Sequence, residues 1–122
     1  MMLLNDFYTI VQQVTAASPA NARITINKSH KIFEGHFPGI PVVPGVCMMQ
    51  IVLEMMEVST GKQVSLVAAD TMKFLSVINP EQNEEIDVVI NYTEDAGRLL
   101  VSASLFEGPV VFFKLKATLK IV

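Results

Sequence analysis

The sequence predicts an α+β domain in which an antiparallel sheet wraps around one long central helix. Three observations carry that expectation. From Gly45, the apolar series Val46, Met49, Val52, Leu53 and Met56 recurs at helical spacing in a segment that is hydrophobic nearly all round. From Val64 onward, apolar residues alternate with period two and are interrupted by turn-forming residues, the pattern of successive strands. The helix precedes most of the strands with no repeat or linker between them, and a sheet can bury one face by curling around a single greasy helix.

In chain order, Leu3, Leu4, Phe7, Ile10, Val11 and Val14 lie three and four apart, which predicts a short amphipathic packing helix. Ala16 to Asn21 reads as a loop, and Ala22 to Asn27 alternates as a half-buried strand does. Lys28 to Pro44 holds three prolines and two glycines, so an ordered loop without regular structure is expected there. The buried helix then runs from Gly45 to about Ser59, with Gly61 placed to supply a left-handed cap. Within its first ten residues only Gln50 and Glu54 are polar, and their i, i+4 spacing sets them on one face.

Beyond Lys62, the residues Val64, Leu66 and Ala68 alternate with Gln63, Ser65 and Val67, and Phe74, Leu75 and Val77 form a second run. Asn79 to Asn83 reads as a turn. Ile86, Val88, Ile90 and Tyr92 are followed by the turn Asp95-Ala96-Gly97 and by Leu99, Val101, Ala103 and Leu105, which is an antiparallel hairpin. Glu107-Gly108-Pro109 leads into the last strand, Val111 to Ile121, whose other face carries Lys114, Lys116, Thr118 and Lys120. A ketosteroid-isomerase-like cone is the structural alternative, ranked lower because it places more helix before its strands.

At 122 residues the chain fits one domain. It is 51% hydrophobic and 17% charged, with a mean hydropathy of +0.44, a surplus of apolar surface that points to a buried interface or a cavity. The longest apolar stretch, Ile40 to Met56, contains prolines and is interrupted by Gln50 and Glu54, so no membrane span is expected. The N-terminus lacks a basic leader region, which makes the cytoplasm the expected location. Cys47 is the single cysteine and there are two histidines, a set with no metal-ligand spacing, so neither a disulfide nor a metal or other cofactor is expected. A net charge of −3 argues against nucleic acid as a partner.

The most informative segment is Phe33-Glu34-Gly35-His36-Phe37-Pro38-Gly39-Ile40-Pro41-Val42-Val43-Pro44-Gly45-Val46. His-Phe-Pro followed by Pro-Val-x-Pro-Gly, directly before an apolar helix, resembles the motif of the 3-hydroxyacyl-acyl carrier protein dehydratases, and the order of elements is similar to that family's hot-dog fold. The chemistry of the residues agrees. Prolines restrict the chain between His36 and the helix, favouring one placement of an imidazole that can remove a proton near neutral pH. His30 has no such context and reads as a surface residue. The backbone N–H groups of Gly45 and Val46 open the helix, at the positive end of its dipole, where they can hold a carbonyl oxygen. The resemblance implies that Phe37, Gly45 and Val46 bind substrate, and that the helix-start amides polarise a thioester carbonyl while His36 takes a proton from the neighbouring carbon.

This chain departs from the family fourteen residues after His36, where relatives carry the Glu or Asp that protonates the departing hydroxyl. Here that residue is Gln50, whose amide can hydrogen-bond a hydroxyl but cannot supply the proton. One helical turn later, where many relatives carry Gln, stands Glu54. Four residues of helix displace a carboxyl by about 6 Å, so Glu54 serves as the acid only if substrate or backbone shifts.

The expected function is therefore that of a 3-hydroxyacyl-thioester dehydratase-like protein of fatty-acid or polyketide-type biosynthesis, with His36 as base and Gln50 or Glu54 at the hydroxyl. A non-catalytic hot-dog subunit that binds acyl chains or a carrier is the alternative, and a hot-dog thioesterase is a third reading. The resemblance implies a homodimer or higher homo-oligomer in which His36 of one chain faces Gln50 and Glu54 of the other. It also implies an acyl carrier protein or coenzyme A thioester as the substrate's bearer. Either the strand face of Lys114, Lys116 and Lys120 or the pair Lys28 and Lys31 is a landing point for an acidic carrier.

Overall fold

The computed structural model describes residues 2–12, 18–34 and 41–122. Its elements are β1 (Tyr8–Gln12), β2 (Ala20–Ile26), a 3-10 turn (Lys31–Phe33), α1 (Gly45–Thr60), β3 (Val64–Phe74), β4 (Glu85–Asp95), β5 (Arg98–Glu107) and β6 (Val110–Ile121). The strands form a six-stranded sheet in the order β1-β2-β4-β5-β6-β3, with every neighbouring pair antiparallel. One face of that sheet is apolar because the register aligns like with like. Val88, Leu105 and Phe113 stand opposite one another across β4, β5 and β6, and Ile90, Ala103 and Leu115 form the next row. These side chains are buried in one cluster with Cys47, Met48, Ile51, Val52, Met55 and Met56 of α1. The expected sheet around a single helix is what the chain builds.

The helix ends where its sequence stops it. Gly61 adopts φ 72° and its N–H bonds Glu57 O at 2.8 Å, satisfying a carbonyl that the last turn leaves without a partner. In the β4–β5 hairpin, Ala96 and Gly97 take φ of 51° and 77°, the pair of positive values that a tight two-residue turn between twisted strands requires. The strand from Val64 to Phe74 is continuous, although its alternation breaks in the sequence. Register shifts between Leu66 and Ala68 and between Ala69 and Thr71 each insert a residue and reset which face the side chains occupy.

The N-terminal segment differs from the expected helix over residues 3–14. Its described residues make a turn followed by β1, with Asn5 at φ 67° and Phe7 N–H bonding Leu3 O at 2.7 Å. Tyr8, Thr9 and Ile10 then pair with Ile26, Thr25 and Ile24. The β-branched run Thr9-Ile10-Val11 favours that outcome. Leu3 and Phe7 are buried as a helix stripe would have buried them, but from a turn, and Val11 is exposed.

What fixes this segment is a carboxylate on α1. Glu54 is only 1% exposed, and it accepts hydrogen bonds from Leu3 N at 2.7 Å, Leu4 N at 2.8 Å, the Tyr8 hydroxyl at 2.9 Å and Gln50 Nε2 at 2.9 Å. Two donors fall on each oxygen. A buried carboxylate is costly unless it is satisfied in this way. Burial, the adjoining Glu54 charge and the hydrogen bond to it all push the Tyr8 phenol well above its usual range.

A folded-state value above the unfolded one means that the native phenol keeps its proton where the unfolded phenol has lost it. The stabilisation is complete below the ordinary tyrosine range, near pH 10, and is lost as the pH rises beyond it. Tyr8→Phe is expected to cost about 2 kcal/mol at neutral pH, the worth of a hydrogen bond to a charged group. Thermal melts across the alkaline range should also show a shallower loss of stability in the variant than in the wild type.

Candidate functional site

The loop before α1 is pinned at its end. Val43 N–H donates to Ile78 O at 3.0 Å, tying the approach to α1 onto the β3–β4 connection, and Leu75 N–H donates to Phe112 O at 2.9 Å. Between these two segments lies a cavity of about 490 Å³ lined by Val42, Val43, Pro44, Gly45, Met48 and Phe74, and further by Leu75, Ser76 and Val77. Its size falls within the range of small-molecule sites, and among the described residues Ser76 is the one polar side chain on its walls.

The first turn of α1 forms one end of the cavity. Pro44 precedes the helix with extended backbone and no side-chain cap, and Pro44 O accepts from Cys47 N at 3.0 Å. Gly45 and Val46 come before the first N–H that an intrahelical carbonyl can take, so their donors face outward from the helix start. Gly45 lies close under Phe74. A Cβ on it would lie 2.6 Å from Cε1 of the exposed Phe74, so a larger residue there would displace that ring from the helix entrance. Phe74 in turn stacks on Phe113 with ring centroids 5.2 Å apart.

The residues singled out from the sequence fall in different places. Gly45 lines the cavity and Val46 follows it with an exposed side chain. His36 and Phe37 lie outside the described residues. Gln50 and Glu54 occupy the face of α1 nearly opposite Gly45 and Met48, as 3.6 residues per turn dictates, and neither is a lining residue of the cavity. Gln50 is half-buried and gives one amide hydrogen to Glu54. Glu54 faces Leu3, Leu4 and Tyr8 of its own chain, and both its oxygens act as acceptors.

His30, expected at the surface, is half-buried instead. Its Nδ1 accepts from Ile32 N at 3.1 Å to cap the 3-10 turn, its Nε2 meets Asp6 Oδ2 at 3.1 Å, and Phe7 packs against its ring. Sequence reasoning also missed Tyr8 and the wall from Phe74 to Val77. The signal for Tyr8 was a phenol within an apolar stretch, since a buried tyrosine hydroxyl needs a polar partner.

Comparison with known proteins agrees with this architecture. The family model described as ApeI-like, ApeI dehydratase, matches residues 12–106. The 3-hydroxyacyl-[acyl-carrier-protein] dehydratase FabZ of Rickettsia massiliae is 32% identical over 76 residues, covering 56% of this chain and 51% of the relative, so the chain spans about half that relative's length. Among solved structures, the dehydratase heterocomplex ApeI:P from Xenorhabdus doucetiae superposes with a TM-score of 0.72 at 20% identity, covering 91% of this chain and 96% of that one. An uncharacterized protein from Erwinia carotovora subsp. atroseptica superposes with a TM-score of 0.70, also at 20% identity, covering 100% of this chain and 98% of the other. Such distant structural likenesses establish the hot-dog fold alone. The family match runs over most of the chain, and with it this chain belongs to the ApeI-like dehydratase family.

Proposed function

We propose that this protein handles 3-hydroxyacyl thioesters of fatty-acid or polyketide-type biosynthesis in dehydratase fashion, with the acyl chain in the cavity beside the start of α1. The observation that carries this reading is the position of that cavity. It is an apolar pocket opening where Gly45 and Val46 present helix-start amides, immediately after the loop that bears His36. The thioester carbonyl accepts from those amides, the carbon between carbonyl and hydroxyl becomes more acidic, and His36 removes its proton. The hydroxyl then leaves as water, which requires a proton from an acid. Phe37 is assigned to substrate contact through the same loop, and the bearer of the acyl group is an acyl carrier protein or coenzyme A. The FabZ relatives, named for acyl-carrier-protein substrates, support that choice.

The site is assigned to a dimer. Gln50, half-buried, points away from the cavity of its own chain, which supports a shared site in which it meets the cavity of a second copy. The sheet's terminal strand β3 supports pairing, since it exposes Leu66, Val67, Met72 and Phe74 at an open edge. Sedimentation velocity is expected to give twice the chain mass at micromolar concentration, whereas a stable monomer contradicts the shared site.

One observation favours a second reading, a subunit that binds acyl groups without turning them over. Gln50 has no proton to release, and Glu54 is occupied as an acceptor by four donors of its own chain. The two readings part on one substitution. Gln50→Glu supplies a nearly isosteric carboxyl, so in a retained dehydratase site it should raise dehydration of 3-hydroxyacyl thioesters by about 10²- to 10⁴-fold, and His36→Ala should abolish the gain. Failure of both wild type and Gln50→Glu to turn over thioesters that they nonetheless bind establishes the silent subunit.

A further inference from the structure

The outer face of the sheet concentrates the chain's positive charge. On β6, Lys114, Lys116 and Lys120 alternate with the buried Leu115, Ala117 and Leu119, so their side chains point away from the helix. The register adds what the sequence left separate. Lys73 of β3 stands directly opposite Lys114, which stands opposite Ser104, and the next row is Thr71, Lys116 and Ser102. Farther along, Arg98 is opposite Lys120.

Five of the chain's nine Lys and Arg residues thus share one exposed face, and among the described residues none of the five lies within ion-pair distance of a carboxylate. Asp95 stands opposite Arg98, and Asp70 sits at the β3 bulge next to the Lys116 row, so the unbroken part of the cluster is Lys73, Lys114 and Lys116. Like charges set directly opposite across strands destabilise a sheet, and Lys73 with Lys114 is such a pair. A depression of about 280 Å³ runs among Lys73, Lys114, Lys116, Thr71, Ser102 and Ser104, offering three ammonium groups and three hydroxyls to an anion.

We propose that this face of β3, β6 and β5 docks the acidic carrier protein that brings the thioester. The inference rests on the proposed function for the identity of the partner, and on the charge pattern for the place. From Lys73 and Lys114 to Arg98 and Lys120 the stripe spans six residue steps of strand, about 20 Å, the length of a few turns of helix bearing carboxylates. A compact acidic protein meets only this stripe. A bilayer or a nucleic acid extends over the whole molecule and is repelled by the carboxylates of a chain whose net charge is −3. The other landing point expected from the sequence is weaker, because Lys28 shares its surroundings with Glu84 and Glu85. Position agrees as well. Lys73 is followed immediately by Phe74 to Val77, the wall of the acyl cavity, so a tethered thioester need only pass the end of β3.

The test compares a 3-hydroxyacyl group on purified acyl carrier protein with the same group on neutral N-acetylcysteamine, each titrated against the full-length protein at several salt concentrations. In the triple variant Lys73→Glu, Lys114→Glu, Lys116→Glu, carrier binding is expected to weaken by about 10-fold or more and to lose much of its salt dependence, while affinity for the neutral thioester is unchanged. The corresponding triple Gln variant, which removes charge without reversing it, should show a smaller loss in the same direction. Carrier binding that is absent in the wild type, or unaltered in both variants, overturns the docking surface and leaves the acyl site standing if the neutral thioester still binds. Equal loss of both ligands in both variants also overturns it, as does binding of phosphatidylglycerol vesicles through these lysines without carrier binding. If the carrier binds through the lysines and the neutral thioester does not bind at all, the docking surface stands and the acyl-site reading fails.

Discussion

Glu54 is the interaction on which the rest of the structure depends. A carboxylate buried to this degree is tolerable only with its lone pairs met, and here they are met by two backbone amides, a phenol and a neighbouring amide side chain. That requirement binds the first eight residues to the middle of α1. It holds Leu3 and Phe7 in the core from a turn and delivers Tyr8 to the edge of β2, where β1 can begin. The helix is consequently occupied on two opposite faces, by the N-terminal segment on one and by the cavity on the other.

This division of the helix bears on its chemistry. The end that opens the cavity is built of small and apolar groups, with Gly45 under Phe74 and Met48 behind it. The polar pair lies on the other face, where Glu54 holds its own chain together and Gln50 donates to it. The carboxylate of Glu54 therefore serves the fold, holding the N-terminal segment to α1. The start of the helix leaves the Gly45 and Val46 N–H groups without intrahelical acceptors.

The central helix and the hairpins were legible in the sequence because each is specified locally. The helix is announced by its apolar run after Pro44 and its stop at Gly61, and the β4–β5 turn by Asp95-Ala96-Gly97. The N-terminal segment misled because Leu3, Phe7 and Ile10 fit a helical period while the bonds that decide its conformation come from Glu54, some fifty residues away in the chain. β3 was legible only in pieces, since its two bulges interrupt the alternation that identifies a strand. Near the cavity, the start of the helix at Gly45 was legible from the apolar run that follows Pro44. The sequence could not reveal that Phe74 to Val77 fold back to wall the cavity, because that closeness is made by the β3–β4 connection meeting Val43. Nor could it show Lys73 and Lys114 as neighbours, which strand register alone creates.

The architectural role of Glu54 is tested most directly by amide hydrogen exchange at Leu3 and Leu4. Both N–H groups donate to a buried carboxylate, so in the native protein they should exchange as slowly as amides of the sheet core, and Glu54→Gln should release them to much faster exchange. Leu3 and Leu4 amides that exchange in the native protein as freely as those of an exposed chain end would contradict the account.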